Sequence, residues 1–395
     1  MSNQLIEDQA EFEDLCQHVR QAGVVAFDTE FVSEHTYRPV LCLLQMATAD
    51  RLAAVDPFMV TDLSSWWDVM ADDLTFVVVH AAREEVRFCL TSCGRRPQNL
   101  VDIQIAEGLR ARGYPLNYET LVDRTLGQRV HATQTRTDWR RRPLSSQQIN
   151  YALDDVKYIL DVWQQQQQSL ETLGRKTWVD SEFERMIDEV ETERSSENWQ
   201  RLSGIHKLKP RELAVVRELY RWRENKAAEL DQPVRRVLRD DLLLDLARRQ
   251  PRNTHEVLAT RDMNRSNYKR HVSELQGCVA AGLAVVQSDL PSRPIRRSTK
   301  GDGHVLAKLL AIVLANRCAE LDLSMELVAT SSDIRSFVRW RLDSNCSDSP
   351  PRLCHGWRTE VCGDLLNDVM DGKISLRVAA PKSDHPLAFD RNEDR

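Results

Sequence analysis

The chain opens with apolar residues at helical spacing over residues 10–20, where Phe12, Leu15 and Val19 recur every three to four positions. The period then shortens. Val24–Phe31 and Val40–Ala47 read as two strands joined across the polar turn Ser33–Pro39, and Arg51–Val55 reads as a third that ends before Pro57. A helix over Leu63–Met70 leads to Thr75-Phe76-Val77-Val78-Val79, an unbroken β-branched run of the kind found in sheets covered on both faces. Ala82–Cys93 is predicted helical, Leu100–Asp102 a short strand end, and Ile103–Arg112 helical again. Strands first, then strands alternating with helices, predict an α/β layer fold around a mixed sheet. A long helix begins near Ser145, a suitable N-cap, and carries the apolar stripe Ala152, Val156, Ile159, Trp163. From about residue 205 the pattern is helical almost throughout, with Pro210 at a first-turn position.

At 395 residues the chain is too long for one core. With 42% hydrophobic and 29% charged residues it has the composition of a soluble globular protein. The polar, acidic N-terminus argues against a signal peptide, and the longest apolar stretch, Val305–Ala315, is interrupted by Lys308 and too short for a bilayer. No membrane association is expected, and the nine cysteines, lacking any C-x-x-C pair, read as reduced thiols in a cytoplasmic protein. Neither G-x-G-x-x-G nor G-x-x-x-x-G-K occurs, which excludes the usual phosphate-cradling loops. The net charge is −6, but residues 201–300 hold 22 Lys and Arg against 12 Asp and Glu, leaving −16 for the remainder. A basic middle segment on an acidic chain suits a polyanion-binding module.

Three acidic elements stand out. Asp28 and Glu30 alternate onto one face of the first predicted strand, where two like charges call for a cation. His80-Ala81-Ala82-Arg83-Glu84-Glu85 places carboxylates on the first turn of a helix leaving a strand, the end of the sheet where α/β folds hold ligands. Tyr151 and Asp155, at i and i+4, share one flank of the predicted long helix, with Asp154 directed away.

In their order and spacing these segments resemble the three exonuclease motifs of the DEDD superfamily, tyrosine subclass. Thr137-Asp138-Trp139-Arg140-Arg141-Arg142-Pro143-Leu144-Ser145 narrows the resemblance to the ribonuclease D type. Residues 205–285 are similar to an HRDC domain, through Leu208–Glu212, Arg221-Trp222-Arg223 and Asp231–Val234, and the Gly356-Trp357-Arg358…Gly363…Gly372 pattern resembles a second such domain. The resemblance implies an RNase H-like α/β exonuclease domain over 1–195, an HRDC domain over 204–288 and a second HRDC-like all-α domain over 304–380; composition alone predicts a basic linker over 289–303 and a polar, unstructured tail over 381–395.

It further implies that Asp28, Glu30, Glu85 and Asp155 hold two divalent cations, Mg²⁺ or Mn²⁺, with Asp28 bridging both and Tyr151 orienting the attacking water. Gln45, His80, Asp138, Trp139, Arg140 and Arg142 are the expected substrate-side or supporting residues, and Trp139 is equally well read as core. The implied activity is 3′→5′ hydrolysis of RNA ends, tRNA precursors being the family's usual substrates, by a monomer. Two departures bear on it: Glu85 stands where the family has aspartate, and Ala132 where a lysine is common. They keep open a second reading, an RNA-binding protein with a weakened site. A third, a DNA exonuclease, uses the same catalytic layout.

Overall fold

A computed structural model describes residues 3–130, 137–195, 198–292, 303–342 and 349–392. Eight strands occur among them: β1 (Asn3–Ile6), β2 (Val24–Val32), β3 (Val40–Ala47), β4 (Leu52–Val55), β5 (Phe76–Val79), β6 (Leu100–Asp102), β7 (Ile374–Val378) and β8 (Leu387–Arg391). The first six form one mixed sheet in the order β1-β4-β3-β2-β5-β6. β2, β3 and β4 are antiparallel neighbours, whereas β5 and β6 run parallel to β2. The expected α/β layer fold is thus present. β1, which the hydrophobic pattern did not indicate, pairs in parallel with β4.

The helices that position the site are α1 (Gln9–Ala22), α2 (Ser64–Ala71), α3 (Arg83–Ser92), α4 (Ile103–Arg110), α5 (Tyr118–Leu126), α6 (Ser146–Lys157), α7 (Ile159–Thr172) and α8 (Lys176–Ser195). α1, α2 and α3 cover one sheet face, with Phe27 packed on Trp66 of α2 at 4.5 Å between ring centroids. α6 and α7 cover the other. Ser145 caps α6 through a reciprocal pair: its hydroxyl accepts from the Gln148 N–H at 3.2 Å, and its own N–H donates to the Gln148 side chain at 3.0 Å. The helix predicted to continue through Trp163 breaks at Tyr158, whose N–H donates to the Tyr118 hydroxyl at 3.1 Å. The stripe survives the break, because Ala152, Val156, Ile159 and Trp163 are all buried.

Residues 198–290 form a helical unit around α9 (Pro210–Glu229), with its own core of Leu213, Val216, Leu219, Leu243, Leu246 and Val279. It meets the exonuclease-like unit at the β2–β3 turn, where the Tyr37 hydroxyl donates to Glu224 at 3.2 Å and the Tyr37 N–H to Asp231 at 3.1 Å. A cavity of about 830 Å³ lies between them, bordered by Arg38, Arg87, Arg194 and Arg221.

The helices after residue 303 do not build a separate core. Leu310, Val313, Leu314, Leu327, Phe337 and Trp357 belong to the same continuous apolar cluster as the sheet. Gly108 of α4 allows the close approach: a Cβ there would lie 2.5 Å from Leu327, and its carbonyl accepts from the Ser324 N–H at 2.8 Å. The tail expected to be free is also docked. β8 pairs antiparallel with β7, because Leu387 and Phe389 have a half-buried face to offer and Asn316 bonds the Leu387 backbone on both sides. The basic residues of the predicted linker, Arg293, Arg296, Arg297 and Lys300, lie outside the described residues, as does Ala132.

Candidate active site

Alternation along β2 puts Asp28 and Glu30 on the face covered by α6, and Phe27 and Thr29 on the face covered by α2. The pairing of β2 with β3 slips just beyond Glu30: Glu30 faces Leu43 and Phe31 faces Leu41, leaving Cys42 as an extra residue on β3. The carbonyl of Cys42 accepts from Arg142 Nη2 at 2.8 Å. The same guanidinium forks onto the fully buried Asp56 at 2.5 and 2.8 Å and donates to the Trp139 carbonyl at 2.7 Å. Arg142 therefore ties the segment preceding α6 to the sheet and is not free to meet a substrate in this conformation. Trp139 is buried beneath that segment, its ring 6.2 Å from Tyr151, so it supports the tyrosine.

Glu85 arrives from the other layer. The β5–α3 turn needs a left-handed residue, supplied by Ala81 at φ 63°. Asp102, at the tip of neighbouring β6, accepts from the Ala81 and Ala82 N–H groups at 3.1 and 3.0 Å and caps α4 through the Gln104 N–H at 2.9 Å. One carboxylate thereby sets the direction in which α3 leaves the sheet. Asp102 was visible in the sequence only as a strand end; an acid at the tip of a parallel strand just before a helix was the available signal. Glu85 itself is buried and accepts from the Thr29 hydroxyl at 2.7 Å.

Four carboxylates thus come together from three elements. Burial and the charges of Glu85, Asp155 and Glu30 push the Asp28 carboxyl far above its ordinary range. Burial, then the Asp155 charge, raises Glu30 to about 8. Asp155 rises to about 7, chiefly through burial, although the Tyr151 hydroxyl donates to it and works the other way. Burial also raises Glu85, with the Thr29 hydroxyl opposing. Burial and the neighbouring carboxylates push the Tyr151 phenol upward, so it stays protonated and able to donate. Among the described residues no group of three or more His, Cys, Asp or Glu side chains is placed to hold a metal ion as it stands. The donors nonetheless suit hard divalent cations: all are carboxylate oxygens, and each is held at a pH cost that a cation would remove.

The other expected residues are placed as follows. His80 is half-buried, its Nε2 2.9 Å from the Leu116 carbonyl and its pKa lowered mainly by burial. Gln45 is fully buried directly opposite Asp28 on β3. Asp138 and Arg140 are paired at 2.9 Å on the surface and are the substrate-side candidates that solvent reaches. Tyr118, not singled out from the sequence, feels the charges of Asp155 and Asp28 and joins α5 to the α6–α7 break through its hydroxyl.

A mixed sheet that carries Asp28 and Glu30 within β2 and receives Glu85 and Asp155 from α3 and α6, with a helical unit rich in basic residues after it, has the layout of a hydrolase acting on a polyanion. The 3′-5′ exonuclease family model matches residues 3–171, and the HRDC domain model matches residues 212–279. Ribonuclease D of Bartonella henselae is 31% identical over 96% of this chain and 92% of its own length, and that of Sphingobium indicum 30% over 95% and 96%. Among solved structures, Escherichia coli RNase D, described as an exoribonuclease involved in structured RNA processing, superposes with a TM-score of 0.83 at 27% identity, covering 94% of this chain and 99% of that one. The catalytic core of RRP6 from Trypanosoma brucei shares the fold, with a TM-score of 0.53 at 23% identity over 71% and 79% of the two chains. The chain belongs to the ribonuclease D family and is a 3′→5′ exoribonuclease, of a kind that depends on divalent metal. Among the described residues no helix is long and apolar enough to cross a membrane.

The raised carboxyls have a consequence for stability. Their folded-state pKa values, about 8 for Glu30 and about 7 for Asp155, exceed the ordinary carboxylate range of about 4. Between pH 4 and 8 the folded protein binds more protons than the unfolded one, so stability falls as pH rises. The metal-free protein is expected to melt at a lower temperature at pH 8 than at pH 5.5, and Mn²⁺ to raise the midpoint far more at pH 8. Scanning calorimetry with EDTA or Mn²⁺ checks this; a metal-free midpoint that rises with pH across this window would contradict it.

Proposed function

We propose that this chain trims the 3′ ends of structured RNAs, tRNA precursors being the favoured class, in the cytoplasm and as a monomer. Asp28, Glu30, Glu85 and Asp155 would hold two divalent cations, Mg²⁺ or Mn²⁺. The observation that carries this reading is the placement of Asp28 within the fields of three other carboxylates, with the Tyr151 hydroxyl on Asp155. Two such cations, when bound, polarise a phosphodiester and lower the pKa of a bound water. The phenol of Tyr151, kept protonated, donates a hydrogen bond that orients the attacking water. In the metal-free protein that O–H donates to Asp155; with the Asp155 oxygens taken by a cation it would be free for the water, while Trp139 supports the ring. Attack on the terminal linkage breaks the P–O3′ bond and releases a 5′-nucleoside monophosphate, leaving a new 3′-hydroxyl. The HRDC unit over 204–288, with its excess of basic side chains, grips the body of the RNA. The exposed Asp138–Arg140 pair and half-buried His80 stand on the substrate side.

Glu85 is the residue on which the alternative turns. It keeps the charge of the family's aspartate but spends its extra methylene, about 1.5 Å, in reaching Thr29. The test is digestion of a 5′-labelled RNA bearing a short single-stranded 3′ tail, with Mn²⁺, Mg²⁺ or EDTA, alongside Glu85→Asp. The expected result is a metal-dependent ladder from the native chain, with Glu85→Asp giving the same products at a rate within roughly tenfold. An inactive native chain whose activity appears only on Glu85→Asp would instead mark an RNA-binding protein built on a nuclease scaffold.

A further inference from the structure

The sheet is covered unevenly. Where β2, β5 and β6 begin, Val24, Phe76 and Val101 border a cavity of about 620 Å³ that α7 and α8 close on the other side. Val24 and Phe76 are direct partners in the parallel pairing and present their side chains to one face. That face is the one that carries Asp28, because residues 24 and 28 are an even number of steps apart on the same strand. Trp163 of α7 and Phe183 of α8 complete the apolar lining, their rings edge to face with centroids 6.4 Å apart. Phe76 is 49% exposed, although the three valines that follow it in β5 are buried. The cavity is remote from the carboxylates. Asp28 lies about 13 Å further along β2, Glu85 past the far end of β5, and Asp102 at the far end of β6.

The rim is polar and carries an excess of negative charge. Lys176 is the one cation among the described lining residues, against Asp161, Asp180 and Glu184. Two of those acids are already paired: Lys176 donates to Asp180 at 2.7 Å, and Arg96 donates to Glu184 at 2.8 Å. Asp161, exposed in the first turn of α7, has no hydrogen bond or ion pair among the described residues. A volume of about 300–1,000 Å³ with apolar walls and a few polar groups is the build of a small-molecule site. A protein partner fits less well, since the cores of such interfaces are depleted of charge and this cavity is ringed by it. Phosphate-bearing ligands are repelled by the same rim, so the cavity is no continuation of an RNA path. We propose that it binds a small organic cation, with a flat apolar body against Phe76, Trp163 and Phe183 and a protonated amine or amidine paired with Asp161. The aromatic lining favours both parts, because rings pack on rings and their faces attract cations. Occupancy of this cavity does not depend on the metal site proposed above.

The test titrates the full-length protein by calorimetry with three probes of one shape: 2-naphthylmethylamine, 2-naphthylmethanol and 2-naphthoic acid. At neutral pH they are cationic, neutral and anionic in turn. The wild type is expected to bind the amine with a Kd below about 1 mM, the alcohol about fivefold more weakly, and the acid not measurably. Asp161→Asn should lower the affinity for the amine to that for the alcohol and leave the alcohol unaffected, so that the two losses of charge do not add. Phe76→Ser should weaken the amine and the alcohol alike, because it removes part of the wall that both share. Both variants should digest RNA at the native rate without a probe, since neither residue stands among the carboxylates, and a melting curve of each confirms that it is folded. Equal binding of amine and acid, or an amine affinity in Asp161→Asn within a factor of about 1.5 of the wild type, overturns the proposal. So does an amine that fails to saturate the wild type at about 10 mM. If the protein in that case sediments as a dimer that Phe76→Ser dissociates, the cavity belongs to a second copy of the chain.

Discussion

Asp28→Asn is expected to abolish hydrolysis, by at least about 10³-fold in single-turnover rate, while leaving RNA affinity within a few-fold of the native protein. The asymmetry follows from where the charges sit. Burial, with the charges of Glu85, Asp155 and Glu30, raises the Asp28 carboxyl well above its ordinary range, so on the proposed metal-site reading it is the group whose ionised form a cation would most stabilise. Asparagine has the same shape and keeps one oxygen, but it removes the negative charge that makes the cluster attractive to hard cations. It also lifts repulsion from the metal-free state, so the variant should fold at least as well as the native chain. On the proposed reading RNA is held elsewhere, chiefly by the basic excess of the 201–300 segment, which this substitution does not touch. Electrophoretic mobility shift of a 3′-tailed RNA, run beside the digestion assay, separates the two quantities. Undiminished turnover would remove Asp28 from the metal site; a large loss of RNA affinity would mean that the substrate is held chiefly through its terminal phosphate.

The parts of this site that could be read from sequence are those set by local periodicity. The two-residue alternation of β2 put Asp28 beside Glu30, and the four-residue step of α6 put the Tyr151 hydroxyl on Asp155. Ser145 announced its own cap. What stayed hidden depends on which distant segment happens to lie opposite. Arg142 read as either substrate-side or supporting, and the sequence could not say that its guanidinium is occupied by Asp56, 86 positions away, and by a carbonyl freed by a bulge that no pattern announces. Gln45 likewise read as substrate-side or supporting, and nothing in its sequence neighbourhood says that α6 covers its strand and leaves it no exposed surface. β1 is four residues long and the partner β4 is itself short, so neither carries much periodicity. The hairpin of β7 and β8 alternates weakly because only one side of it touches the protein. Most consequentially, helical periodicity after residue 303 shows that helices exist there, but not that their apolar face is completed by α4 and α8.

That shared face gives the largest stability effect to be expected, centred on Glu182 of α8. Its side chain is 1% exposed and accepts from three donors, two of them in the C-terminal segment, with Arg352 of that segment in ion-pair range. Trp357 Nε1 donates at 3.0 Å and Arg358 Nη1 at 2.8 Å to one oxygen. Arg185, one turn along α8, donates at 2.8 Å to the other, with Arg352 3.6 Å from it. Trp178 of the same helix stacks on Trp357, ring centroids 5.2 Å apart and planes within 18°. Burial alone would raise the pKa of Glu182, but the hydrogen bonds and charges of Arg358 and Arg185 more than reverse this and hold it below the usual range. The carboxylate is thus ionised and surrounded by cations that have surrendered much of their hydration to reach it. Replacing it by glutamine preserves volume but leaves Arg358, 4% exposed, beside no negative partner. Removing one partner of a buried pair costs about 3–5 kcal/mol, because the other charge remains buried and uncompensated. For Glu182→Gln we expect a fall in melting temperature of roughly 10 °C, read by scanning calorimetry. Because the C-terminal helices complete the apolar cluster around α4 and α8, the loss should reach the nuclease: the melting transition of the sheet should shift with that of the helices as one event. Two separated transitions, with only the smaller one displaced, would show that the C-terminal helices are an appended module after all.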